Sequence, residues 1–105
     1  MNQLQQGDVL LKKINVIPSN AKKLKSDKRG FVLAEGESTG HYHAVIEQEG
    51  VELYEHEDTL FLHVEKEVEL EHQEHNTIKI PVGDYEIGRV REMDYTKMMV
   101  RQIVD

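Results

Sequence analysis

Val64-Glu-Lys-Glu-Val-Glu-Leu-Glu-His72 is the stretch whose reading decides the fold. Its glutamates favour a helix on intrinsic propensity. The spacing points the other way. Glu65, Glu67, Glu69 and Glu71 alternate strictly with Val64, Lys66, Val68, Leu70 and His72, a period of two. Wound as a helix, the same glutamates would spread around most of its circumference and leave no apolar stripe. Extended, they form one face of four carboxylates and one apolar face that ends in His72. The stretch is expected to be a single strand, and the chain a β protein.

Working outward, the flanking segments agree. Thr77–Ile80 runs into a Pro81-Val-Gly83-Asp84 turn, and Tyr85–Arg91 follows as a strand with Tyr85, Ile87, Arg89 and Arg91 on one side. Upstream, a His56-Glu-Asp58 turn leads into Thr59–Val64, and Val51–Tyr54 follows Gly50. Tyr42–Ile46 and Phe31–Ala34 are two more short strands. Val9–Ile17 is another, introduced by Gly7-Asp8 and ended by Pro18. Residues 18–29 are polar with only Leu24 bulky and read as a loop. In the tail, Met98, Met99, Val100, Ile103 and Val104 suit a short C-terminal helix or a closing strand equally. Eight or so short strands separated by turn signals predict an all-β domain over 1–105, a small antiparallel barrel or sandwich.

The totals narrow the function classes. A chain of 105 residues makes one domain that buries roughly two-thirds of its unfolded surface. With 38% apolar and 31% charged residues, the core is thin or an oligomer completes it, so a homo-oligomer is expected. There is no cysteine, so disulfides and thiolate metal sites are excluded, and any metal is held by nitrogen and oxygen. No apolar run approaches the roughly 20 residues of a membrane span and no secretory h-region opens the chain, so a cytoplasmic protein is expected. The net charge of −7 hides an asymmetry. Residues 1–30 carry seven basic and two acidic residues, the remainder six basic and eighteen acidic. An acidic body discourages broad nucleic-acid binding. Lys22, Lys23, Lys25, Lys28 and Arg29 could touch phosphates locally, but a solvated loop, or one lying against an acidic face of this or a neighbouring chain, is the reading preferred. The glutamate ladder is the obvious partner for these lysines, because like charges in a row are costly without a counter-surface.

The chemistry gathers in Gly36-Glu-Ser-Thr-Gly-His-Tyr-His-Ala-Val-Ile-Glu47. His41 and His43, two apart after a glycine turn, leave one face of a strand together, and convergent imidazoles are the usual start of a zinc, iron, copper, nickel or manganese site. His72 is the best third ligand, standing at the end of the apolar face. His75 joins only if Gln73-Glu74 bulge or turn. Glu47 is a further candidate, while His56 and His63 read as surface residues. Each imidazole could equally be a strand histidine satisfied by hydrogen bonds or lying in a subunit interface. Arg89 and Arg91 are either an anion clamp or, the preferred reading, partners of the glutamate ladder. No Ser-His-Asp set and no phosphate-binding glycine loop can be assembled.

Gly36, His41-x-His43 with Glu47 following after three residues, and Pro81-Val-Gly83 forty residues downstream resemble the two motifs of the cupin superfamily. That resemblance implies a small double-stranded β-helix barrel with a metal on two His, a Glu and a further His. It carries His41, His43 and Glu47 over as ligands. Where the second motif offers its histidine this chain has Glu86, so the resemblance implies that the remaining ligand is Glu86 or comes from elsewhere, such as His72. The chain also looks like small uncharacterised bacterial and phage-borne proteins that pair a Thr-Gly-His-x-His stretch (Thr39–His43) with a His-x-x-His stretch (His72–His75) and an Arg-x-Arg-Glu strand (Arg89–Glu92), a resemblance that implies no activity. The expectation is a small oligomeric β protein that binds a divalent transition metal through His41, His43, His72, His75 and Glu47. The alternative is a non-enzymatic assembly or binding module whose histidines lie at an interface.

Overall fold

The computed structural model describes residues 3–36 and 40–90. Every element among them is a strand: β1 Gln3–Gln6, β2 Val9–Ile14, β3 Lys22–Leu24, β4 Phe31–Glu35, β5 Tyr42–Val45, β6 Val51–His56, β7 Thr59–Val64, β8 Val68–Glu71, β9 Ile78–Ile80 and β10 Gly83–Arg89. They form two antiparallel sheets, one ordered β1-β2-β10-β7-β6-β3 and the other β4-β5-β8-β9. Each sheet ends in edge strands, so among the described residues no closed barrel forms. One apolar cluster joins the sheets. Leu11, Leu62 and Ile87 from the first meet Val45, Leu70 and Ile80 from the second. No helix of the described residues is long and apolar enough to cross a membrane.

The alternation in 64–72 does place an apolar face inward: Val68 and Leu70 are buried while Glu69 and Glu71 are exposed. It does not make one strand. The chain leaves β7 at Val64, bends through residues 65–67 and enters the other sheet as β8. Two exposed glutamates and a lysine at the bend let the chain change sheets without burying a charge. The four carboxylates are therefore divided between a bend and a strand, which removes the continuous ladder.

Other expectations shift as well. Lys22–Leu24, within the expected loop, pair with Leu53–Glu55 of β6 as an edge strand. Lysines on a three-residue edge discourage further pairing there, the usual defence of an open sheet edge. β1 is an additional strand, hairpin-paired to β2 through Gly7-Asp8. Gly7 takes φ 59°, which suits the first central position of a II′ hairpin turn. The C-terminal helix or strand expected at 95–105 lies outside the described residues, as does Arg91.

The β6–β7 hairpin turns on Glu57 and Asp58, with φ of 50° and 65°. Both central residues of a type I′ turn need positive φ, which costs a side-chain-bearing residue about 1 kcal/mol or more. A Glu57→Asn/Asp58→Gly variant is expected to be more stable by about 1 kcal/mol, seen as a thermal midpoint raised by roughly 4–8 °C. An unchanged or lower midpoint would show that the turn is not strained.

Candidate functional site

Strand register brings the two histidine pairs together. β5 and β8 run antiparallel with Ala44 opposite Glu71 and Val45 opposite Leu70. One step further along the ladder, His43 stands opposite His72, and the next step sets Tyr42 against Gln73, whose Oε1 accepts the Tyr42 N–H at 2.8 Å. His41 then faces Glu74, its Nδ1 3.7 Å from Oε1. Gly36 closes the β4–β5 hairpin by donating its N–H to the His41 carbonyl at 2.7 Å. A side chain at Gly36 would collide with His41, so glycine is required for that approach.

The result is a cleft of about 290 Å³ lined by Gly7, Asp8, Gly36, His41, His43, His72, Glu74 and His75. Ring centroids are 4.3 Å apart for His43 and His72, 4.5 Å for His72 and His75, and 5.5 Å for His41 and His72. The β1–β2 turn of the other sheet forms the opposite wall, with Gly7 against the His75 ring. A Cβ there would lie 2.6 Å from His75 Nε2, so only glycine lets that ring in.

His43 is 2% exposed, and the partner that makes its burial tolerable is Gln6, itself 3% exposed. The Gln6 amide nitrogen donates to the carbonyls of Leu70 at 2.8 Å and Asn76 at 3.0 Å. Both amide protons are thus used, and Gln6 Oε1 accepts from His43 Nδ1–H at 2.7 Å. This fixes the tautomer, leaving the Nε2 lone pair on the cleft side, 4.0 Å from Asp8 Oδ1. Burial, and secondarily the neighbouring His72, holds the His43 pKa down at about 4, so the ring is neutral near pH 7. Burial and the His75 and His41 rings lower His72 as well.

Asp8 is engaged by Arg89, whose Nη1 donates to Oδ2 at 3.0 Å while Nη2 donates to the Glu35 carbonyl. Arg89 is therefore paired with Asp8 and not with the glutamates of 65–71. The basic segment also ties into its own chain away from that row: Lys23 pairs with Glu52 at 2.8 Å, and Arg29 with Asp27 and Glu35 while lying over the Tyr42 ring.

Of the five ligands expected from sequence, the structure brings four to one cleft: His41, His43, His72 and His75. Glu47 is not among them. β5 ends at Val45, and the chain then carries Glu47 to the loop at Ser26, whose hydroxyl donates to its carboxylate. Glu47 lines a separate cleft of about 680 Å³ beside Lys25 and Glu65. Glu86 lies on β10 between the inward-facing Tyr85 and Ile87, on the side of the sheet away from the core. His63 is half-buried and not simply a surface residue, with Nδ1 on Asp84 and Nε2 3.1 Å from Glu65. Gln6 and Asp8 were not legible as site residues. The only local hint is a Gly-Asp turn ahead of a strand. As the rings stand, no three His, Asp or Glu side chains among the described residues form a group that could hold an ion.

Two outcomes follow from the buried pair. Gln6→Leu strands the His43 N–H and two carbonyls, and is expected to lower stability by about 2–3 kcal/mol in denaturant unfolding. A loss under about 0.5 kcal/mol would show that water replaces the amide. Unfolded, His43 takes its proton near 6.5; folded, it resists until about 4. Between those values the unfolded chain binds more protons, so stability falls as pH drops through that window. In metal-free protein the wild type should lose about 3 kcal/mol more than His43→Gln between pH 7 and 4. Parallel stability profiles for the two proteins would remove this assignment.

A family model described as a domain of unknown function (DUF8820) matches residues 5–90. No curated protein and no solved structure matches the chain.

Proposed function

The chain belongs to that family of unknown function, and from the placement of its histidines we propose that it binds a divalent transition metal in the cleft between the start of β5, the 72–75 segment and the β1–β2 turn. One observation carries this reading. His43 is a buried, neutral imidazole whose Nδ1 is held by Gln6, so that its Nε2 lone pair is presented beside three further imidazoles. Histidine ligands are oriented in this way, with the second ring nitrogen donating to a carbonyl oxygen. Buried polar residues at a sheet end that apolar side chains could close need some such reason.

The donor set is imidazole nitrogen with carboxylate in reserve, and it contains no thiolate. That suits zinc, nickel, copper or iron(II) over calcium and magnesium. His43 is the fixed ligand. His41 is part-buried and His75 exposed, and turning their rings toward His43 Nε2 completes a three-nitrogen site. The cleft has room beyond one ion for a small ligand. The role read from these residues is metal holding, and no reaction is assigned.

A second reading has its own support: the His43 and His75 rings lie nearly parallel, 5.9 Å apart, and imidazoles gathered at an open sheet end could line an interface between copies. Calorimetric titration of untagged protein with zinc and nickel separates the two. The metal reading expects one ion per chain. It also expects His75→Ala, a fold-safe change at an exposed position, to bind at least about tenfold more weakly, while Glu47→Gln binds as wild type. Equal zinc affinity in wild type and a His43→Ala/His75→Ala variant would sink it. A solution mass that falls on the same double substitution would then favour the interface.

A further inference from the structure

The outer face of the four-stranded sheet is not the uniformly polar surface that an antiparallel sheet usually turns to water. Along β5, His43 and Val45 point inward, so Tyr42, Ala44 and, one step past the strand, Ile46 share the opposite side. Ile46 is 60% exposed. Register shows why its neighbours do not shield it. Val45 pairs with Phe31 of β4 and with Leu70 of β8, so the next step sets Ile46 between Gly30 and Glu69. Gly30 has no side chain to lean across, and Glu69 is itself exposed. In the row behind, Val32 and Ala44 continue the apolar strip.

Charge is divided across that strip. On one side, Asp27 and Gly30 exchange two backbone hydrogen bonds, at 3.1 and 2.9 Å, which fix Lys28 and Arg29 at the tip of a tight turn. Lys28 lines a hollow of about 220 Å³ together with Ile46. On the other side, Glu69 and Glu71 line a hollow of about 130 Å³, again with Ile46. Arg29 is engaged by Asp27 and Glu35. Among the described residues Lys28, Glu69 and Glu71 have no ion pair, although Lys79 stands opposite Glu69 on β9.

The layout says what would cover such a face. A wholly acidic or wholly basic partner would suit one side of the strip and repel the other. A strip that is apolar in the middle, cationic on one side and anionic on the other is complementary to itself. A two-fold axis in the contact plane at Ile46 exchanges the two sides. Within one chain Lys28 and Glu69 stand apart across Ile46, whereas a second copy brings them together. We propose that two copies of this chain associate through the outer faces of their four-stranded sheets, Ile46 against Ile46, with Lys28 of each copy set against Glu69 of the other. The contact needs no metal ion, so it stands or falls apart from the metal-binding reading.

Sedimentation of the untagged, metal-free chain tests it, the unfolding midpoint of each variant confirming that it is folded. The wild type is expected to dimerise with a dissociation constant below about 100 μM, weakened by added salt. Ile46→Asp, Lys28→Glu and Glu69→Lys are each expected to raise that constant by about tenfold or more. The two charge variants are then mixed in equal amounts. In a mixed dimer both pairs are again opposite in sign, so association is expected within about threefold of wild type. A wild type that stays monomeric to about 100 μM would overturn the proposal, as would a dimer that Ile46→Asp leaves intact. A mixture no tighter than its two components would do the same, because the charges would then not meet across the contact.

Discussion

A single carboxamide holds the site end of this molecule together. Gln6 sits on the edge strand of one sheet and makes three hydrogen bonds across to the other side, to Leu70 of β8, His43 of β5 and Asn76 in the β8–β9 connection. In a buried setting each bond is strengthened by the low local dielectric, and each would leave an expensive orphan if broken. The amide spends both protons on backbone carbonyls of the 70–76 segment and its one carbonyl on an imidazole. It therefore anchors that segment, orients His43 and selects its tautomer at once. Leucine in its place would pack, but it would satisfy none of the three partners.

Why the histidines meet follows from register more than from any local motif. An antiparallel ladder in which Ala44 faces Glu71 sets His43 against His72 and His41 against Glu74. His75 then reaches the same cleft because the chain turns at 73–75, and His72 caps that turn with its own ring. Glycine permits the close approaches, Gly7 beneath His75 and Gly36 beside His41. The cleft is thus a product of one strand pairing, one turn and two missing side chains.

Much of this could be read from residues alone, and what could not has physical causes. Period-two alternation exposed the β character of 64–72, and the i, i+2 histidines after a glycine turn exposed half of the cleft. Alternation is blind to where a strand stops, so the bend at 65–67, and with it the change of sheet, was invisible. A three-residue lysine edge strand has no apolar face to announce it, and β1, rich in glutamine, has almost none. Glu47 was misplaced because spacing assumes the strand continues, whereas β5 ends at Val45. Gln6 could not be found at all. A buried glutamine acquires meaning only from partners 37, 64 and 70 residues away.

The cluster can also be weighed by asking which of its members the fold already explains. His72 caps a turn, and His43 fills a buried position with its one proton satisfied; a purely structural account stops there. Among the described residues the His41 ring lies edge-on to His72 and 3.7 Å from the Glu74 carboxylate, and the His75 ring has no side-chain hydrogen-bond partner. Yet Gly7 is shaped to admit that ring. Exposed polar side chains normally drift into solvent, where water satisfies them and their rotamers stay free. Holding His75 against a glycine and within 4.5 Å of another imidazole gives up part of that freedom. On the metal-binding reading proposed above, an ion engaging the imidazole nitrogens together would offset that cost.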